Sequence, residues 1–142
     1  MKQNKLTQYV IPAMLFIVSA VLCAGSFTFL RTCGPMEDGS WMTCHWAGQA
    51  ISAVTCVMAI LACVNLFVKN SGFRAGISLG LLLMSVTAAF LPGKVIPTCM
   101  MPDMQCNAVT RPGVAVLCAV LALLSLINLL VAVKGIKKEN KE

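Results

Sequence analysis

Four apolar runs, Tyr9–Leu30, Trp46–Val68, Ala75–Leu91 and Gly113–Val133, take up most of the chain and leave only short polar segments between them. Each falls within the roughly 17–25 residues that a helix needs to cross the hydrocarbon core of a bilayer. Lipid offers backbone amides no partners, so these runs are expected to be helices. The expected fold class is an all-α membrane protein, a four-transmembrane-helix bundle forming a single integral membrane domain over residues 1–142. Composition agrees: 11% of residues are charged, where soluble domains carry about 25%.

The formal net charge of +6 raises nucleic acid as a partner, but the placement of the charge argues otherwise. Lys2, Lys5, Lys69, Arg74, Lys134, Lys137, Lys138 and Lys141 fall on one side of the expected bundle, against Arg31, Lys94 and Arg111 on the other. This is the positive-inside pattern. It predicts a multi-pass protein of the bacterial cytoplasmic membrane with both termini cytoplasmic, the lipid bilayer as its surroundings and no nucleic-acid partner. The basic start and apolar first run resemble a signal peptide. Ala20-Val21-Leu22-Cys23, however, carries Leu where a lipoprotein signal needs a small residue, so an uncleaved first helix is expected, with Pro12 in its first turn.

Two segments between the runs echo each other. Thr32 to Trp46 opens with Thr-Cys and ends Met-x-Cys-His; Thr98 to Asn107 opens with Thr-Cys and ends Met-x-Cys-Asn. The echo extends into the helices. Cys56 follows Cys44 at the spacing at which Cys118 follows Cys106, and Ser19 precedes Cys33 as Ser85 precedes Cys99. Asn65 and Asn128 also correspond, with a shift of one position relative to their cysteines. A duplicated helical hairpin is expected, its copies related by a two-fold axis along the membrane normal and each bearing a Cys-bounded extracytoplasmic loop. The turn Lys69 to Arg74 makes the second and third helices antiparallel neighbours, Leu91-Pro92-Gly93 stops the third, and Arg111-Pro112-Gly113 opens the fourth.

The eight cysteines divide evenly. Cys23, Cys56, Cys63 and Cys118 lie in the spans and read as small packing residues. Cys33, Cys44, Cys99 and Cys106 lie at the outer loops, where an even count most simply means two disulfides, within or between the loops. The rival reading is a soft-metal site. Met36, Met42, Met100, Met101 and Met104 stand beside those four cysteines and the only histidine, His45, a donor set that suits copper or, less well, haem. Thiol redox chemistry is a third reading, weakened because no Cys-x-x-Cys occurs. His45 is expected at the water–lipid boundary between Trp41 and Trp46, with Gln49 one turn on. The expected cofactor state is none, with copper or haem as the alternative.

The spans contain no Asp, Glu, Lys or Arg, which argues against an ion-coupled transporter. No nucleophile paired with a base marks an enzyme. Asn65 and Asn128 are candidates for helix–helix hydrogen bonding. Gly72-x-x-x-Gly76-x-x-x-Gly80 supplies a small-residue stripe for close packing of the third helix on a partner.

Cys33-Gly34-Pro35, then Met42-x-Cys44-His45-Trp46-x-x-Gln49-Ala50, then Met104-x-Cys106-Asn107 resembles a small bacterial membrane family known as domain of unknown function 4418, over nearly the whole chain. Members of that family look like four-helix proteins often encoded beside ABC-type permeases and ATPases, which implies an accessory role; no catalytic residues carry over from it. The reading is a non-enzymatic accessory or binding subunit of a larger membrane assembly such as an ABC-type transporter. The alternative is a copper, haem or thiol-redox protein.

Overall fold

The computed structural model describes residues 5–30, 32, 34–35, 37–97 and 103–139, with side chains from Tyr9 to Lys137. The helices are α1 (Lys5–Phe27), α2 (Thr43–Phe67), α3 (Ser71–Phe90) and α4 (Arg111–Glu139), and four helical segments are long and apolar enough to cross a membrane. Among the described residues there is no strand. α1 packs chiefly on α2 and α3 on α4, while α1–α4 and α2–α3 contacts close the bundle. The N- and C-terminal helix ends thus share one end of the bundle with the α2–α3 turn, here the terminal end. The segments between α1 and α2 and between α3 and α4 share the other, the loop end.

Apolar side chains point both ways. Leu15, Leu22, Met58, Leu81 and Leu121 are buried, yet Ile60, Phe67, Leu83, Val116 and Leu123 each expose more than 60% of their surface. A water-soluble domain does not carry such a belt on every helix, whereas a bundle solvated by lipid does. The interior relies on small polar residues for close approach. Ser19, Ser78 and Ser85 are fully buried, and each hydroxyl donates to a carbonyl one turn back, on Leu15, Arg74 and Leu82.

The two hairpins bury matching positions. On α1 the inward stripe is Pro12, Leu15, Ser19 and Leu22; on α3 it is Ser78, Leu81, Ser85 and Ala88, at identical spacing. On α2 the stripe runs Cys44, Ala47, Ile51, Thr55, Met58, Ala62 and Asn65. From Cys106 it runs Thr110, Val114, Cys118, Leu121, Ser125 and Asn128, the same ladder displaced by one residue after the first rung. The cause is a π-helical turn over Cys106–Thr110, in which the Arg111 amide donates to the Cys106 carbonyl. A π turn holds one residue more than an α turn, so the ladder resumes in phase. This accounts for the Asn65/Asn128 shift. It also corrects the cysteine correspondence: Cys118 takes the place of Thr55, not of Cys56.

Helix boundaries differ from the sequence expectation where nothing in the sequence breaks a helix. α2 begins at Thr43, so Cys44, His45 and Trp46 form its first turn rather than the end of a loop. α1 begins at Lys5, which puts Pro12 in the helix interior instead of the first turn. Asn70 caps α3 by accepting from the Gly72 amide at 2.9 Å, and this early start draws Arg74 into the helix. The stop after Phe90 is a type II turn, with Pro92 at φ −77°, ψ 117° and Gly93 at φ 86°, ψ −10°. Gly93 supplies the left-handed residue that this turn requires.

Candidate binding site at the loop end

A cleft of about 540 Å³ opens at the loop end between α1, α2 and the segment joining them. One wall is aromatic. Trp41 stacks on His45 with ring centroids 4.0 Å apart and Phe27 faces the cleft from α1, while Trp46, outside the lining, meets the same imidazole edge-on at 5.8 Å. The Gln49 amide, one helical turn on, donates to Nε2 of His45 at 3.2 Å, which leaves the proton of the neutral ring on Nδ1. The histidine is thus held on two sides, by stacking and by a hydrogen bond.

The floor is polar and uncharged. Ser26 donates to the Cys23 carbonyl at 2.7 Å and Ser52 to the Gly48 carbonyl at 2.9 Å, and Ser26 Oγ also lies 3.4 Å from the buried Thr55 hydroxyl. Among the described residues the cleft sets hydroxyls below and aromatic faces beside, an environment for a hydrogen-bonding ligand with an apolar or planar body. Gly48 is what lets the connecting segment close over it: a Cβ there would lie 2.6 Å from Thr32 Oγ1 and 2.8 Å from its Cγ2.

One turn deeper, Cys23 and Cys56 bring their sulfurs to 3.0 Å across the α1–α2 contact. Cys118 is buried, and Cys23 and Cys56 meet as half-buried free thiols where α1 packs on α2. Ser26 and Thr55 lie beside the thiols, their hydroxyl oxygens 3.4 Å from one another.

The other candidates separate. Cys33, Met36, Cys99, Met100 and Met101 lie outside the described residues. Cys44 and Cys106 begin the inward stripes of their helices and are 1% and 2% exposed. His45 follows Cys44 directly but projects about 100° away around the helix, into the cleft. Met42 and Met104 are half-buried. Among the described residues no three of His, Cys, Asp and Glu come together. Asn128 spans α4 and α3, accepting from Arg74 Nη2 at 3.3 Å and donating to Ser78 Oγ at 2.7 Å. Asn65, its counterpart, is fully buried, and neither atom of its amide has a hydrogen-bond partner. Gly76 and Gly80 face outward, with nothing within 4 Å of where a Cβ would stand, and Gly72 meets only its own cap.

No curated protein and no solved structure matches the chain. Residues 15–131, most of the bundle and both repeat units, match the family described as Domain of unknown function (DUF4418), and the chain belongs to that family.

Proposed function

We propose that the protein is a non-enzymatic accessory subunit of a larger membrane assembly, such as a transporter, presenting the loop-end cleft on the extracytoplasmic side as its recognition surface. The observation that carries this reading is the outward face of α3, where Gly76 and Gly80 leave the helix backbone accessible and are not used for packing within the bundle. Small residues on a lipid-facing helix permit the close approach through which transmembrane helices associate. The cleft fits the same role, since it has an aromatic wall and hydrogen-bonding groups and, among the described residues that line it, no nucleophile–base pair.

The expected result is that the protein co-purifies in mild detergent with one larger membrane protein, and that Gly76→Leu or Gly80→Leu abolishes the association while leaving the isolated chain folded. Association untouched by both substitutions sinks the proposal. So does a stable monomer that retains stoichiometric copper or haem, which would establish the soft-metal reading instead. The orientation rests on eight Lys and Arg residues at the terminal end against three at the loop end. A phosphatase reporter, active only outside the cytoplasm, is expected to be inactive after Glu142 and active when inserted beside Gly39; the reverse pattern would invert the bundle.

A further inference from the structure

Two thiols meet inside the apolar belt. Cys23 of α1 and Cys56 of α2 bring their sulfurs to 3.0 Å, and each lies in a segment long and apolar enough to cross a membrane. Bonded sulfurs stand about 2.05 Å apart, so closing this pair takes about 1 Å of movement, within reach of small side-chain rotations. The helices already approach closely here, since the Ser26 and Thr55 hydroxyl oxygens are 3.4 Å apart. Leu22 and Met58, the chain neighbours nearest these thiols in the core, are fully buried, whereas Phe27 and Val57 are exposed. The two half-buried cysteines thus stand at the margin of the α1–α2 contact and not at the centre of the bundle.

Oxidation of two thiols to a disulfide releases two electrons and two protons. The side chains beside this pair, Ser26 and Thr55, are hydroxyls and not bases. An oxidant that takes up the protons together with the electrons is therefore favoured, and a quinone is such an acceptor. The loop-end cleft suits one. Its floor includes Ser26 and Ser52, one helical turn or about 5–6 Å from Cys23 and Cys56. Its volume of about 540 Å³ lies within the roughly 300–1,000 Å³ of small-molecule sites. Phe27 and Trp41 offer aromatic faces to a planar ring, and His45 and Gln49 carry N–H groups that can donate to its carbonyl oxygens.

We propose that Cys23 and Cys56 are a dithiol–disulfide couple whose oxidant is a lipid-soluble quinone seated in the loop-end cleft. Both S–H bonds break, one S–S bond forms, and the two electrons and two protons pass to the quinone oxygens, leaving the quinol. The exchange is stoichiometric, one quinone per chain, and its product ties α1 to α2 beneath the cleft. Because the pair is assembled from two helices, it needs no Cys-x-x-Cys, the motif that the sequence lacks. The couple stands independently of the accessory role, which rests on the outward face of α3.

The test uses the full chain in phosphatidylcholine vesicles, reduced, freed of reductant and kept anaerobic, with decylubiquinone as the oxidant. Peptide mapping is expected to find Cys23 joined to Cys56. Cys23→Ser and Cys56→Ser, each nearly isosteric, are expected to lower the quinol formed by one equivalent per chain, read from its ultraviolet absorbance. Oxidised glutathione or dioxygen in place of the quinone is expected to form the link at least about tenfold more slowly, the first because charge is excluded from the belt. Ser52→Leu fills the cleft floor one turn above Cys56 and is expected to slow the quinone reaction about tenfold by displacing the ring, with the helical signal preserved. Absence of the Cys23–Cys56 link after quinone treatment overturns the proposal. So does a link formed as fast by oxidised glutathione or dioxygen, or a quinone rate unchanged in Ser52→Leu.

Discussion

Asn128→Leu is expected to lower the stability of the bundle by about 2–3 kcal/mol, the value of a hydrogen bond to a charged group together with the stranding of its partner. Asn128 gives Arg74 an acceptor and Ser78 a donor, both inside a protein surrounded by lipid. Leucine has the same branched heavy-atom skeleton, leaves no cavity and supplies neither group, so the loss begins with the hydrogen bonds. The corresponding change in the first hairpin has the opposite expected sign. The Asn65 amide is fully buried and neither of its polar atoms has a hydrogen-bond partner, so Asn65→Leu removes a desolvated polar group and is expected to be neutral or stabilising. Thermal unfolding of both variants in one detergent measures the contrast. Equal shifts for the two asparagines would refute the account.

Gly48→Val is expected to open the loop-end cleft. The new side chain would occupy the space of Thr32, whose own branched side chain is stiff, so the segment leaving α1 has to lift away from α2. Overpacking of this kind costs about 1–3 kcal/mol, and here the cost falls on one local closure instead of on the whole bundle. Limited proteolysis is therefore expected to cut between Thr32 and Trp41 about tenfold faster or more, the factor that 1.4 kcal/mol represents. Gly76→Val is the control, because a Cβ at that position meets nothing within 4 Å. Cleavage at the wild-type rate in Gly48→Val would show that the cleft does not depend on this contact.

The sequence made the bundle legible because lipid leaves few alternatives: four apolar runs of spanning length become helices, and a Leu-Pro-Gly stop becomes a type II turn. The hairpin repeat was legible in its polar positions for a related reason, since a serine or asparagine inside a membrane bundle is placed by its contacts. The burial of Arg74 was missed although Asn70 is a strong helix cap, because charge near a span was weighed for topology and not for phase. A start at Ser71 puts Arg74 on the same stripe as Ser78, Leu81 and Ser85. The Cys23–Cys56 approach and the Trp41–His45 stack depend on how two helices rotate against each other, which spacing along one chain does not state.

The π turn at Cys106 bears on how the two halves of this chain came to differ. A residue added inside an α-helix turns everything beyond it by about 100° and would have swung Val114, Cys118, Leu121, Ser125 and Asn128 toward the lipid. Taken up within one wide turn at the helix's beginning, the same addition leaves every later rung in register. The second hairpin thus carries one residue more than the first between its first two buried rungs without losing the phase of the rest. Any alignment of the two halves must place its gap between Cys106 and Thr110, or it will match Cys118 with the wrong residue and miss the equivalence of Asn65 with Asn128.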